Sequence, residues 1–147
     1  MELRDITMAD LPLYVRILRD PRVMAELGGP LPEEGLEEKL RGIVADVEAN
    51  DTWFSVIVPD GGAGSAGAGW VCIWETDQDG DTFSEIGWMV DPAHQGRGLA
   101  SSAVREILDR ATREGRWGEI SAHPAVTNGP SNAICRKTGF KLTGERD

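Results

Sequence analysis

The stretch that decides the fold is VDPAHQGRGLASSAVREIL, Val90 to Leu108. It passes from an apolar strand end through a short loop into an amphipathic helix, and Gly96 and Gly98 stand one residue apart in the loop. A glycine lets the main chain turn tightly and approach a ligand closely, and the helix behind it offers unpaired amides at the positive end of its dipole. With Arg97 in the loop and Arg105 further along, the stretch predicts an anion site for a phosphate or pyrophosphate.

This loop differs from two other phosphate-binding loops. The Walker pattern requires a lysine followed by serine or threonine after four spacer residues, and no such lysine follows the glycines here. The dinucleotide fingerprint requires glycine or alanine where this chain has Ser101, and the strands before the loop lack the repeated βαβ order of that fold. The sequence therefore indicates a different kind of anion site.

The composition indicates one soluble, globular domain over residues 1–147. The hydrophobic content is 40% and the charged content 27%, proportions typical of a folded chain with an ordinary core. The formal net charge of −10 argues against nucleic acid or an anionic membrane as a partner, because both require a basic face. The same charge is compatible with a cationic substrate.

The cysteines and the amino terminus bear on redox state and location. Cys72 and Cys135 form no C-x-x-C pair, and with only His94 and His123 beside them they predict no metal site. We expect two reduced thiols in a cytoplasmic protein. The first residues, MELRDITMADL, are charged, so we predict no signal peptide, and no stretch is long enough to span a bilayer.

Apolar periodicity and turn residues predict an α/β domain around a mixed sheet, in the order β-α-α-β-β-β-α-β-α-β. The strands are expected at Leu3–Ile6, Trp53–Val58, Trp70–Thr76, Thr82–Val90, Ile120–Ala122 and from Phe140 onward. The helices are expected within Asp10–Asp20 and at Pro32–Ala49, Leu99–Glu114 and Ser131–Thr138. A glycine-rich connection, Gly61–Gly69, and a turn, Asp77–Asp81, join the central strands.

Two motifs resemble those of the GCN5-related N-acetyltransferase (GNAT) superfamily. QGRGLA, Gln95–Ala100, fits the pattern Q/R-x-x-G-x-G/A, and NGPSNAICRKTGF, Asn128–Phe140, is similar to the family's second motif. EIGWMVDP lies upstream, as in the family's fourth strand. The segment Asp20–Pro32 resembles the branch of ribosomal-protein N-terminal and small-amine acetyltransferases, and the resemblance extends from Leu3 to Gly144.

The resemblance implies a fold and an activity. The fold is a single GNAT-like domain with a mixed, mostly antiparallel central sheet, flanking helices and a V-shaped gap between the fourth and fifth strands. The activity is N-acetyl transfer from acetyl-CoA to a primary amine of a small molecule or a protein N-terminus, directly and in a ternary complex. The alternative is a non-catalytic acyl-CoA-binding or regulatory module on the same fold. Neither function requires a metal.

The resemblance also implies the coenzyme contacts. The main chain of Met89 and Val90 is expected to bond the pantetheine arm, and one of these amides to polarise the thioester carbonyl. Asn128 is expected to bond the pantetheine with its side-chain amide, and Ser131 is interpreted as a helix-cap or packing residue. The pyrophosphate is assigned to the main-chain amides of Gln95, Gly96, Arg97, Gly98, Leu99 and Ala100.

Two residues compete for the role of general base, because an amine with a pKa of about 10 must lose a proton before it attacks a thioester. Glu85 lies on the fourth strand, where many relatives keep a glutamate, and His123 lies where some relatives place a base on the fifth strand. Family members often carry a tyrosine where this chain has Cys135, so the general acid stays unassigned. His94 is interpreted as a loop-packing residue.

Two features concern partners. The first two helices and their loop carry acidic residues that form either a solvated helix face or an acidic lip for a cationic amine. These residues are Glu26, Glu33, Glu34, Glu37 and Glu38. Family domains usually finish with a sixth and a seventh strand, whereas this chain stops at GERD, so the final strand is expected to be missing or supplied by another chain. The bare sheet edge predicts a homodimer.

Overall fold

The computed structural model describes residues 1–59 and 67–144, and these residues form five strands and five helices. The strands are β1 (Glu2–Asp5), β2 (Trp53–Val58), β3 (Gly69–Gln78), β4 (Asp81–Val90) and β5 (Ile120–Ala122). The helices are α1 (Leu11–Leu18), α2 (Pro21–Met24), α3 (Leu36–Glu48), α4 (Leu99–Glu114) and α5 (Gly129–Lys137). Short 3-10 turns precede α1 at Met8–Asp10 and follow β4 at Pro92–His94. None of the helices in these described ranges has the length and apolar character that crossing a membrane requires.

The strands form one sheet in the order β1-β2-β3-β4-β5. The first three pairings are antiparallel, and β4 pairs with β5 in parallel. The β4–β5 pairing ends at Ile86 opposite Ala122, whereas β4 continues to Val90. A gap therefore opens beside the end of β4. The prediction of a mixed, mostly antiparallel sheet that opens between the fourth and fifth strands is confirmed.

Each face of the sheet buries its own core. On one face, α1 and α3 pack over a cluster that includes Leu40 and Trp70. On the other face, α4 packs over a cluster that includes Val71 and Ile107. Strand residues alternate between the two faces, and for this reason every residue of Trp53–Val58 is buried. Full burial of one aliphatic side chain stabilises the fold by about 1.5–3 kcal/mol, so the two clusters hold the sheet firmly beneath the gap.

The second predicted helix begins later than expected, at Leu36 rather than Pro32. Gly35 precedes it with a φ of 87°, a left-handed conformation that glycine adopts readily. Leu36 N–H donates to Glu33 O at 3.2 Å, so the proline and the glutamates belong to a turn before the helix. The single turn of α2, capped by Asp20, was not predicted.

The predicted strand from Phe140 onward is wrong for residues 140–144, which form no regular element. Gly139 follows α5 with a φ of 94°, and Phe140 N–H donates to Cys135 O at 3.0 Å. This bond from the sixth residue to the first is a Schellman motif, which ends helices, and it uses an amide that strand pairing would need. Leu142 is 83% exposed. Within the described sheet, β5 is therefore an edge strand.

The connections between the central strands were predicted in part. The turn after β3 is confirmed, since β3 ends at Gln78 and β4 begins at Asp81. Most of the glycine-rich connection lies outside the described residues. Gly69, at its end, begins β3 so close to β4 that a Cβ there would lie 2.1 Å from Met89 O. A glycine is thus required where the two strands approach beside the gap.

Candidate functional site

Asp91 holds the turn that follows β4. Its Oδ1 accepts a hydrogen bond from Ala93 N–H at 3.1 Å, and its Oδ2 accepts one from Arg16 Nε at 2.9 Å. The Asp91 N–H donates to Ala68 O at 2.7 Å, just before β3. One buried carboxylate residue thus joins the end of β4 to α1 and to the start of β3.

Gln95 and two glycines shape the entry into α4. The main-chain amide of Gln95 donates to Pro92 O at 3.3 Å, and its side-chain Nε2 donates to Val90 O at 3.0 Å. The side chain thus holds the loop against the end of β4, and the main-chain amide is already hydrogen-bonded. Gly96 and Gly98 have φ values of 80° and 73°, a region that L side chains enter only at a cost. A Cβ at either glycine would meet no other atom of the described residues within 4 Å. Open space therefore lies before this main chain.

A run of unpaired amides begins after Gln95. Within the part of the chain that the structure describes, the amides of Gly96–Ser101 have no acceptor in the protein. The side chains of Leu99 and Ala100 pack against the core, while Arg97 is exposed. Unpaired amides at the positive end of a 16-residue helix are the arrangement that a phosphate or pyrophosphate requires. The predicted anion-binding residues thus lie together, with Gln95 shaping the loop rather than offering its amide.

The register of the β3–β4 ladder decides which main-chain groups face the gap. Because the amide of Asp91 bonds across to the β3 side, the alternation of an antiparallel ladder directs the main chain of Met89 toward β3 and that of Val90 toward the gap. By the same alternation the main chain of Trp88 also faces the gap, although no sequence motif assigns Trp88 to the site. The two-residue period of the strand is the pattern that would have identified it.

The two candidate bases lie together at the closed end of the gap. His123 Nε2 is 3.4 Å from Glu85 Oε1. Glu85 stands opposite Ser121 in the register and His123 follows Ser121 by two residues, so both side chains leave the same face of the sheet. Thr76 Oγ1 donates to Glu85 Oε2 at 3.4 Å. The side chain of His123 is 57% exposed and that of Glu85 26%, so the imidazole is the more accessible group.

Asn128 begins α5, and it lies after an irregular segment that follows β5 at Ala122. Its Oδ1 accepts a hydrogen bond from Ser131 N–H at 3.2 Å. The helix cap is therefore Asn128, and Ser131 supplies the capped amide. Among the residues described, Asn128 Nδ2 has no acceptor. The side chain thus stabilises the helix through its oxygen and keeps a donor free for a ligand.

Burial raises the pKa of three other ionisable groups. It raises the pKa of Cys135 on α5 and that of Tyr14 on α1, and it raises the pKa of Cys72 to about 12. Tyr14 packs against Trp70, with ring centroids 5.5 Å apart. All three groups are neutral at neutral pH, so they add no charge to the site.

Two residues from the sequence analysis lie near the loop without joining the row of amides. Arg105 donates to Lys137 O at 3.0 Å, so it ties α4 to the end of α5. His94 Nδ1 is buried and has no hydrogen-bond partner in the described ranges, which fits its interpretation as a packing residue.

Four of the five acidic residues of the predicted lip contact another side chain, in two ways, and the fifth, Glu34, is exposed. Glu33 in the turn before α3, and Glu37 and Glu38 on α3, each lie within 3.8 Å of an arginine nitrogen, and such exposed pairs are typical of a solvated surface. Glu26 differs, because its Oε2 accepts a hydrogen bond from Thr127 Oγ1 at 2.6 Å. Glu26 is thereby held beside the loop that leads into Asn128.

Comparison with known proteins gives a family match over nearly the whole chain. The family model described as "Acetyltransferase (GNAT) domain" matches residues 1–141. The uncharacterized N-acetyltransferase YnaD of Bacillus subtilis (strain 168) is 34% identical over 65 residues, which are 44% of this chain and 38% of that protein. The ribosomal-protein-serine acetyltransferase of Escherichia coli (strain K12) is 31% identical over 61 residues, 42% of this chain and 34% of that protein. The matched stretch thus spans little more than a third of each curated relative.

Solved structures extend the similarity of fold. RimL, a ribosomal L7/L12 alpha-N-protein acetyltransferase solved in complex with coenzyme A, matches with a TM-score of 0.79 at 20% identity. The match covers 97% of this chain and 80% of that chain. At this level of identity the similarity concerns the fold.

Proposed function

The chain belongs to the acetyltransferase (GNAT) domain family, and on that premise we propose that it is an acetyl-CoA-dependent N-acetyltransferase acting on a primary amine. The observation that carries the proposal is the run of unpaired amides over Gly96–Ser101 at the start of a long helix. The amine belongs to a small molecule or to a protein N-terminus. The acetyl group passes directly from coenzyme to acceptor within a ternary complex.

The coenzyme is held first by its diphosphate. The amides of Gly96–Ser101 bond the pyrophosphate oxygens, and Arg97 and the helix dipole stabilise the charge. This local positive potential matters because the net charge of −10 would otherwise repel an anionic coenzyme. Asn128 Nδ2 donates to the pantetheine arm while Oδ1 keeps its hydrogen bond to Ser131.

The pantetheine arm lies along the free edge of β4, where the amides of Trp88 and Val90 are the donors. Val90 is five residues from Glu85, about 17 Å along a strand, whereas Trp88 is three residues away, about 10 Å. A thioester that reacts near Glu85 and His123 therefore has the amide of Trp88 as its oxyanion donor. The main chain of Met89, which faces β3, has no part in this set of donors.

The reaction removes two protons from the acceptor nitrogen and exchanges one bond. The acceptor arrives as an ammonium ion and gives a proton to a base, Glu85 or His123. The freed electron pair on nitrogen attacks the carbonyl carbon, so that a C–N bond forms and negative charge develops on the oxygen. Collapse of this intermediate breaks the C–S bond, and the nitrogen releases its second proton to solvent, so that a neutral amide is left. The leaving thiolate of coenzyme A takes a proton from solvent, and its pKa of about 8.5 makes a dedicated acid unnecessary.

The acidic surface narrows the class of acceptor. The net charge of −10 and the position of Glu26 beside the loop before Asn128 favour a cationic amine. One relative carries the name of a ribosomal-protein-serine acetyltransferase. N-terminal peptides of ribosomal proteins therefore belong in the first panel of acceptors, beside polyamines and aminoglycosides.

The test is turnover by the purified chain. The chain is incubated with acetyl-CoA and each acceptor, release of free thiol is followed, and acetylated products are identified by mass spectrometry. Thiol release matched by acetylated product supports the proposal. Coenzyme binding without turnover on any acceptor would favour the non-catalytic module, and failure to bind the coenzyme would overturn both functions.

A homodimer is a second, independent proposal. β5 is an edge strand of the described sheet, and a recess of about 490 Å³ beside it is lined by residues that include Ile120 and Phe140. Pairing of this edge with a second copy would satisfy its exposed amides and carbonyls. Size-exclusion chromatography with light scattering measures the mass, and a clean monomer at high concentration contradicts the dimer.

A further inference from the structure

Glu85 and His123, at the closed end of the gap, differ in the number of contacts that each makes within the protein. Both carboxylate oxygens of Glu85 are engaged within the protein. Oε1 is 3.4 Å from His123 Nε2, and Oε2 accepts from Thr76 Oγ1 at 3.4 Å. This carboxylate is also the less exposed member of the pair, at 26%. Its contacts suit a group that holds a neighbour in place.

The two ring nitrogens of His123 have different surroundings. Its Nε2 faces Glu85, its side chain is 57% exposed, and Nδ1 has no partner among the residues that the structure describes. A neutral imidazole carries one N–H and one lone pair. A proton on Nε2, facing the carboxylate, leaves the lone pair on Nδ1. Nδ1 is therefore the atom of this pair that can accept a proton from an arriving ammonium group.

We propose that Glu85 and His123 form one proton-accepting unit in which His123 Nδ1 is the base and Glu85 is the positioning residue. This inference rests on the proposed function. An N–H bond of the acceptor ammonium breaks, its electron pair stays on the amine nitrogen, and the proton forms an N–H bond at Nδ1. Glu85 then balances the positive charge of the imidazolium, and the proton later passes to solvent. Thr76 anchors Glu85 as a second positioning residue.

The distance between the two groups fits this division. At 3.4 Å, Nε2 and Oε1 are further apart than in an ordinary N–H···O hydrogen bond of about 2.7–3.2 Å. Hydrogen bonds between catalytic groups are often long in a free enzyme and tighten in the complex. An acceptor that displaces water from the gap would strengthen the attraction between the imidazolium and the carboxylate.

The charged groups that act on the imidazole are few. In the described part of the chain, Glu85 is the only acidic side chain within 4 Å of His123, and His123 is the only basic one within that distance of Glu85. The loop after β5 brings one further carboxylate, because Thr127 donates to Glu26. Glu85 thus supplies the nearest negative charge, and Glu26 is the second group to be tested.

The elements beneath the pair add no charge. On this face of the sheet β3 contributes Trp74, which is uncharged and stands opposite Glu85, and Thr76. Cys72 on β3 and Tyr14 on α1 are ionisable, but burial raises the pKa of both, that of Cys72 to about 12. Among these residues, the carboxylate of Glu85 is therefore the charge nearest the imidazole.

The kinetic test compares kcat and KM for the acceptor. His123→Gln should lose about 10²–10⁴-fold in kcat/KM, the usual contribution of a general base. Glu85→Gln should lose less, and the loss should lie in kcat rather than in KM, because the base is still present but is no longer held in place. Thr76→Val should show a weaker form of this loss, and Thr76→Ser, which keeps the hydroxyl, should recover the activity. Glu119→Gln, at an exposed position just before β5, and Glu26→Gln remove the same charge elsewhere, and neither should lower kcat as far.

A second readout needs no turnover. The chain has two histidines, so His94→Gln assigns the NMR resonances of the His123 ring. In Glu85→Gln the share of the neutral ring that carries its proton on Nε2, read from the ring nitrogen chemical shifts, should fall, because the carboxylate that favours this tautomer is gone. Glu119→Gln should leave this share unchanged.

The outcomes separate this inference from the proposed function. Turnover with an unchanged tautomer ratio and an unchanged kcat in Glu85→Gln would overturn the unit while the acetyltransferase stands. Full activity of His123→Gln, with loss in Glu85→Gln, would make Glu85 the base and also overturn it. A changed tautomer ratio without turnover on any acceptor would overturn the catalytic role together with the proposed function.

Discussion

Replacement of Gly98 with leucine tests the site for the coenzyme diphosphate, and Gly115 offers a matched control. The two glycines flank α4 and have left-handed φ values of 73° and 62°. A Cβ at either position would meet no other described atom within 4 Å. Each substitution should therefore cost a similar amount, about 1–2 kcal/mol for holding an L residue in this region. That corresponds to about 2–8 °C in Tm for a chain of this size.

The two variants should differ in coenzyme affinity. A side chain at position 98 stands in the open space before the amides of Gly96–Ser101, whereas one at position 115 lies at the other end of α4, about 25 Å away. Loss of one hydrogen bond to a charged group costs about 1.5–3 kcal/mol. We therefore expect Gly98→Leu to weaken coenzyme A binding by at least about 10-fold, and Gly115→Leu to bind as the unchanged chain does. Titration calorimetry measures the affinities. Unaltered affinity in a folded Gly98→Leu chain would refute the reasoning.

Three further predictions concern the cap, the core and acid stability. Asn128→Asp keeps an oxygen for the helix cap but lacks the Nδ2 donor, so KM for acetyl-CoA should rise at unchanged Tm. Asn128→Ala should show the same rise in KM and also lose about 1 kcal/mol of stability. A KM equal to that of the unchanged chain would contradict this role of Nδ2. Leu40 is fully buried, at 0% exposure, so Leu40→Ala should lose about 2–5 kcal/mol in urea unfolding without a change in KM, and a loss below about 1 kcal/mol would contradict the packing. Burial alone would raise the pKa of Asp10, but hydrogen bonds from Arg4 and Thr7 outweigh it and hold that pKa below its ordinary value. A depressed folded pKa gives stability that is present above about pH 4 and lost as the pH falls through the folded pKa, so Tm should fall more steeply in acid for the unchanged chain than for Asp10→Asn; parallel curves would argue against this ion pair.

Helices and strands whose two ends are marked by characteristic residues could be predicted from the sequence. α4 runs from Leu99 to Glu114 as predicted, because a glycine with positive φ stands at each end. β2 lies at Trp53–Val58 as predicted, because a run of six mostly apolar residues is typical of a strand that is buried on both faces. The start of α3 could not be read in the same way, since proline and glutamates favour a helix start while Gly35 makes a turn.

The site was predictable where it is local and not where it depends on register. The two glycines before α4 have left-handed φ values that favour glycine, so the loop that we propose holds the diphosphate could be recognised in the sequence. Trp88 and Met89 are neighbours, and only the pairing of β4 with β3 decides which main chain faces the gap. The proximity of Glu85 to His123 likewise follows from the parallel pairing of β4 with β5, which no short motif specifies.

The ion pair of Arg16 and Asp91 connects α1 with the turn that follows β4. Under the proposed function, an acceptor bound beside α1 and a coenzyme bound at the start of α4 are thermodynamically linked through this contact. An acceptor that strains or relieves the ion pair changes the affinity for the coenzyme, and the coenzyme changes the affinity for the acceptor by the same factor. A half-exposed pair contributes about 0–1 kcal/mol, which bounds the factor at roughly fivefold. We therefore expect at most weak cooperativity between the two substrates through this contact.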